Sequence, residues 1–176
     1  SSRREEVKRF ARIALVALTV TFLDAPLVAA DLPLEFKGIR IGKRITDADP
    51  LVSGRPDARV SCGSLREDSA TICTDGGGWM IGDVAIGVVI IIEDYRIEAL
   101  GITFNPDSWD TVFRAFTGKY GPPAKSGAET FVWQHRDGAI IATRYDKGSD
   151  DKSLILLASN AFLHRVKRAP PPASGP

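Results

Sequence analysis

Histidine and cysteine are both scarce in this chain of 176 residues, which has two of each. A structural zinc site asks for about four nitrogen or sulfur ligands at close spacing. His135 and His164 lie far along the chain from Cys62 and Cys73, so no such set is suggested. The cysteines do not form a Cys-x-x-Cys pair, which excludes the usual redox motif. There is no Gly-x-Ser-x-Gly, hence no nucleophile elbow. No Gly-Lys-Ser/Thr follows the glycine run at 76–78, hence no phosphate-binding loop. No cofactor and no metal are expected. An excess of one charge is missing too: 23 Lys and Arg face 22 Asp and Glu, for a formal net charge of +1. Residues 1–30 are richer in base than in acid, so the remainder is slightly acidic. That balance argues against nucleic acid as the main partner, since phosphate binding needs a basic face. Long apolar runs are absent as well. Ile13–Leu23 and Val84–Ile92 both fall short of the roughly 20 residues that span a bilayer core, and the second reads as a buried strand. No internal repeat of fixed period occurs.

The amino-terminal thirty residues are ordered by chemistry. Arg3, Arg4, Lys8, Arg9 and Arg12 form a basic head, Ile13–Leu23 is uncharged and apolar, and Val28-Ala29-Ala30 supplies small residues before Asp31. That order predicts a secretory signal peptide cleaved after Ala30 and a periplasmic or secreted protein with no stable membrane span after cleavage. Ser2-Arg3-Arg4 echoes a twin-arginine signal, but Glu6 stands where an apolar residue is usual, which favours the general export route. No cysteine lies near Ala30, so lipid anchoring is not expected. A retained leader would instead tether the domain.

The remainder has the length of one domain, expected over 31–164. Leu34–Gly42 alternates apolar and polar residues and predicts one half-buried strand. Thr46, Asp49 and Pro50 predict the start of a short helix. Short strands are predicted at 59–62 and 70–74 around a polar turn at 64–69. A long strand follows at 80–93, apolar enough for a central position, with a tight connection at Asp94-Tyr95 to a strand at 96–104. Asp107 is the expected cap of a helix whose Trp109, Val112, Phe113, Phe116 and Tyr120 make one apolar stripe, ended by Gly121-Pro122-Pro123. Strands at 130–135, 139–145 and 153–159 close the chain, followed by a basic, Pro-rich tail at 165–176 expected to be disordered. Short turns between neighbouring strands predict α+β: an antiparallel meander sheet with one main helix packed on it and one short helix.

In an oxidising compartment the even cysteine count predicts a Cys62–Cys73 disulfide, and closing so short a loop contributes about 3 kcal/mol by the chain-entropy model. Gly76, Gly77, Gly78 and Trp79 could admit a ligand to the backbone beside an aromatic anchor, or simply turn the chain into a strand. Trp133 faces either the core or an exposed patch. His135 reads as a surface strand residue, not a base. The carboxylate pairs Asp107/Asp110 and Glu93/Asp94 are accounted for by capping and a turn. Arg165, Lys167 and Arg168 form a solvated basic end, with contact to anionic envelope surfaces the alternative.

Phe36-Lys37-Gly38-Ile39-Arg40-Ile41-Gly42, the spaced Cys62 and Cys73, Lys119-Tyr120-Gly121-Pro122-Pro123 and Trp133 before a strand pair together resemble small exported Gram-negative proteins of unassigned activity. Their architecture is similar to β-lactamase-inhibitor-protein-like domains and to the small lipoprotein of the outer-membrane barrel assembly machinery. The resemblance implies a helix-on-sheet domain that binds another envelope protein without catalysis. The alternatives are a small-molecule or glycan-binding module using Trp79 and Trp133, and an unrecognised envelope hydrolase, which His135 would have to serve.

Overall fold

Lys37-Gly38 folds the first strand back on itself. Both residues have positive φ, 48° and 84°, the conformation of a two-residue hairpin turn. The expected single strand is therefore a pair, β1 (Glu35–Phe36) and β2 (Ile39–Arg40), in register Phe36 with Ile39. Alternation alone could not distinguish the two, because a two-residue turn preserves the period. The computed structural model describes residues 32–46, 60–62, 70–75, 77–125, 128–145 and 151–168. The leader, the helix expected after Thr46, the turn at 64–69, Gly76, most of the loop after Tyr145 and the segment after Arg168 lie outside them.

The other strands form one antiparallel sheet of nine. They are β3 (Val60–Ser61), β4 (Thr71–Asp75), β5 (Trp79–Ile81), β6 (Val84–Glu93), β7 (Arg96–Phe104), β8 (Ala124–Lys125), β9 (Thr130–His135), β10 (Gly138–Thr143) and β11 (Ser153–Ser159). Their spatial order is β3-β4-β6-β7-β11-β10-β9-β8, with β5 pairing β6 beside β4. The strand expected at 80–93 is broken by a turn at Gly82-Asp83, so β5 and β6 are a hairpin. β6 is central as expected, yet only one of its faces is fully buried: Ile86, Val88, Ile90 and Ile92 point inward while the residues between them are half-exposed or exposed. Asp94-Tyr95 makes the second tight turn, again with both φ positive. Gly42 (φ 80°) and Lys43 together oppose Ile97: the Gly42 amide donates to Ile97 O at 2.7 Å and the Ile97 amide donates to Lys43 O at 3.0 Å. This glycine bulge stitches the chain after β2 onto the start of β7.

Helix α1 (Trp109–Tyr120) follows a 3-10 turn at Pro106–Ser108. Asn105 caps the 3-10 turn, its side chain accepting from the Asp107 amide at 3.0 Å. Asp107 lies within that turn, and the residue that caps α1 itself is Ser108, with no side-chain hydrogen bond. The apolar stripe behaves as its spacing requires: Trp109, Val112, Phe116 and Tyr120 are buried. They pack with Phe36, Trp79, Trp133 and the inward residues of β6 and β7 in the larger core. The Tyr120 hydroxyl donates to Glu35 O at 2.7 Å, and Lys119 Nζ donates to the same oxygen at 3.0 Å, which fastens β1 to the helix end.

A second helix, α2 (Asn160–Arg168), replaces the first residues of the expected tail. Phe162, Leu163 and Val166 pack on the opposite sheet face, against Ala99, Ala139, Ile141, Leu156 and Ala158. Its four basic residues hid this helix from a composition reading, although its apolar positions recur at the helical period. The fold is α+β, with one long helix on one sheet face and one short helix on the other.

Candidate docking surface

The sheet's outer face offers a patch that α2 does not cover. Strand register places Thr74 of β4 beside Val89 of β6, Met80 of β5 beside Ala85, and Ile72 beside Ile91, which packs against the α2 cluster and marks the edge of the patch. These side chains share one face because strand residues alternate. None of them carries a charge. Met80 is 38 % exposed and is one of two large hydrophobic side chains so exposed among the described residues. Ala85 is exposed, and Ile72, Thr74 and Val89 are half-buried. Gly87 adds no side chain: a Cβ there would meet Thr103 Oγ1 at 2.7 Å. Scattered exposed apolar residues are ordinary; contact surfaces are found among contiguous ones, which makes this uncharged set the candidate. Gly77 and Gly78 border it, exposed and with φ of 101° and 83°.

A polar lock bounds the patch at its other limit. Ser159 Oγ donates to Glu98 Oε2 and accepts the Phe162 amide at 3.0 Å, so it caps α2 while tying it to β7. Arg165 bonds Glu93 and lies 3.7 Å from Glu98. Burial, opposed by Arg165 and reinforced by Glu98 and Asp94, raises the Glu93 carboxyl above its ordinary value of 4.5. Glu98 and Ser159 are 61 residues apart in sequence, and nothing local to either one signals the pairing.

The other expected site residues fall elsewhere. Cys62 and Cys73 are joined as a disulfide, linking the residue after β3 to β4. Trp79 is only 5 % exposed and its ring centroid lies 6.2 Å from that of Phe36. Trp133 is 2 % exposed and its Nε1 donates to Gly121 O at 2.7 Å. Both indoles are core, so neither offers a face to a glycan. His135 is buried, not a surface residue. Its Nδ1 accepts the Asp137 amide at 3.1 Å, and its Nε2 lies 2.6 Å from Leu32 O. The amide must donate, so the ring proton sits on Nε2 and points at that carbonyl. Both ring nitrogens are thus occupied in holding the β9–β10 turn and the chain entry at Leu32. His164 is exposed on α2. Glu93 and Asp94 meet Arg165 and a turn respectively, while Asp107 and Asp110 lie exposed at the start of α1. Among the described residues no group of three His, Cys, Asp or Glu could hold a metal ion, and no helix is long and apolar enough to cross a membrane.

No family model, curated protein or solved structure matches this chain.

Proposed function

We propose that this protein is a non-catalytic component of the cell envelope, periplasmic or secreted, that binds another protein through the uncharged outer face of β4, β5 and β6. The observation carrying this reading is Met80, held out from the sheet beside Ala85 with Val89, Thr74 and Ile72 behind it. Methionine is unbranched and polarizable and adapts its shape to a partner, and the neighbouring Gly77-Gly78 backbone allows close approach. The disulfide suits an oxidising compartment. The leader-like order of residues 1–30 and the resemblance to inhibitor-like helix-on-sheet domains point the same way.

The test is site-specific photo-crosslinking in intact cells. A photoreactive residue at Met80 should give a discrete protein adduct, and the same residue at Lys152 should not. Absence of an adduct at Met80, together with turnover of a cell-wall substrate by the purified protein, would sink the proposal.

A further inference from the structure

The near-neutral total conceals a separation of charge along the strands. The sheet register sends the β6–β7 turn, the β9–β10 turn, the Gly42 bulge and the start of α2 to one end of the molecule. Asn160 closes this end, its Nδ2 donating to Arg136 O at 2.8 Å and its amide to Asp137 O at 3.1 Å. Lys43, Arg44, Arg96, Arg136, Lys167 and Arg168 are exposed here or on the outward side of α2. Arg44 and Arg96 face one another across a backbone bridge. Among the described residues the acids at this end are Asp94, Asp137, which lies 3.5 Å from Arg136, and the two carboxylates engaged by Arg165 and Ser159. Among the described residues the balance reverses at the opposite end. Asp83, Asp107, Asp110, Glu129 and Asp151 are exposed there, against Arg114, Arg144 and Lys152.

We propose that the cationic end rests on an anionic phospholipid bilayer. One observation independent of the charge favours lipid over another polyanion. Leu32, the other large hydrophobic residue exposed among those described, at 39 %, sits at this same end, its carbonyl against His135. An apolar side chain at a cationic end fits a headgroup layer above hydrocarbon. At physiological ionic strength fields decay over about 8 Å, so a bilayer in contact with one end responds to that end and not to the total charge. The surface differs from the Met80 patch, which lies toward the acidic end, and both can be occupied together.

Vesicle co-sedimentation of the full chain tests this. Phosphatidylglycerol–phosphatidylethanolamine vesicles should bind it more tightly than phosphatidylcholine–phosphatidylethanolamine vesicles, with the difference lost in high salt. Each cation at an anionic surface is worth about fivefold in partitioning, so the triple variant Arg44→Gln, Arg136→Gln, Arg168→Gln should lose about a hundredfold. Lys152→Gln, at the other end, should lose nothing. Any leader insertion is common to all variants, and an unchanged thermal midpoint in each shows that the fold survives. The proposal is overturned if the triple variant keeps its affinity within threefold, if Lys152→Gln weakens binding equally, or if RNA or an acidic protein binds more tightly than anionic vesicles at the same ionic strength.

Discussion

Gly138 begins β10 directly against the backbone of β11, and a Cβ at that position would lie 1.9 Å from Ala158 O. The obstacle is main chain in the middle of a sheet and cannot swing aside. Gly138→Ala is expected to destabilise the protein by about 3 kcal/mol or more, read as a lowered urea midpoint with an unchanged slope. In the sequence this glycine falls between the strands expected at 130–135 and 139–145, a placement that is silent about the neighbour across the sheet. Other residues show the same division. Cys62 and Cys73 were legible because compartment, count and spacing all act locally. Trp79 and Trp133 were ambiguous because an indole on a strand suits a core and a binding face equally, and only the packing of α1 above them decides. The role of His135 was hidden because both of its partners, Leu32 and Asp137, are backbone groups, one of them 103 residues away.

At the scale of elements, α1 and the β6–β7 hairpin were readable because one apolar stripe and one turn specify each. The β1–β2 hairpin and the Gly82-Asp83 break were not, since a two-residue turn leaves the alternation intact. α2 depends on a lock that mixes packing with charge, and its acid response follows from the direction of the Glu93 shift. A carboxyl raised on folding binds its proton more tightly in the folded state. Its contribution to stability is therefore fully present below its ordinary pKa and is lost as pH rises through the raised one. Acid relieves the desolvation of this carboxyl and, through Glu93, favours the folded state, although it removes the charge that Arg165 meets. Relative to the wild type, Glu93→Gln is expected to grow more stable as pH rises from about 4 to 7, because only the wild type must then hold a partly desolvated charge. Paired urea titrations across that range check the sign, and a variant that loses stability relative to the wild type as pH rises would refute it.

For the molecule as a whole, fold class followed from strand dominance and short turns, while the docking patch and the cationic end did not. Both are properties of register. Met80, Val89 and Ile72 gather on one face, and Arg44, Arg96 and Arg136 at one end, only when the pairing is known. Composition reports the sum of charges and cannot report how they are arranged. The same register makes β11 indispensable: it lies between β7 and β10, and all seven of its residues are buried. A chain stopped after Lys152 is expected to stay unfolded, cut by protease throughout and lacking slow amide exchange, whereas a core protected in β4, β6 and β7 would contradict this.

The position of β11 also sets an order of events. Among the described strands it comes last in sequence, and it joins β7 to β10. Until it is in place, the strands on either side of it have open edges and no sheet in common. Any other segment that captured one of those edges first would hold the polypeptide away from its final shape.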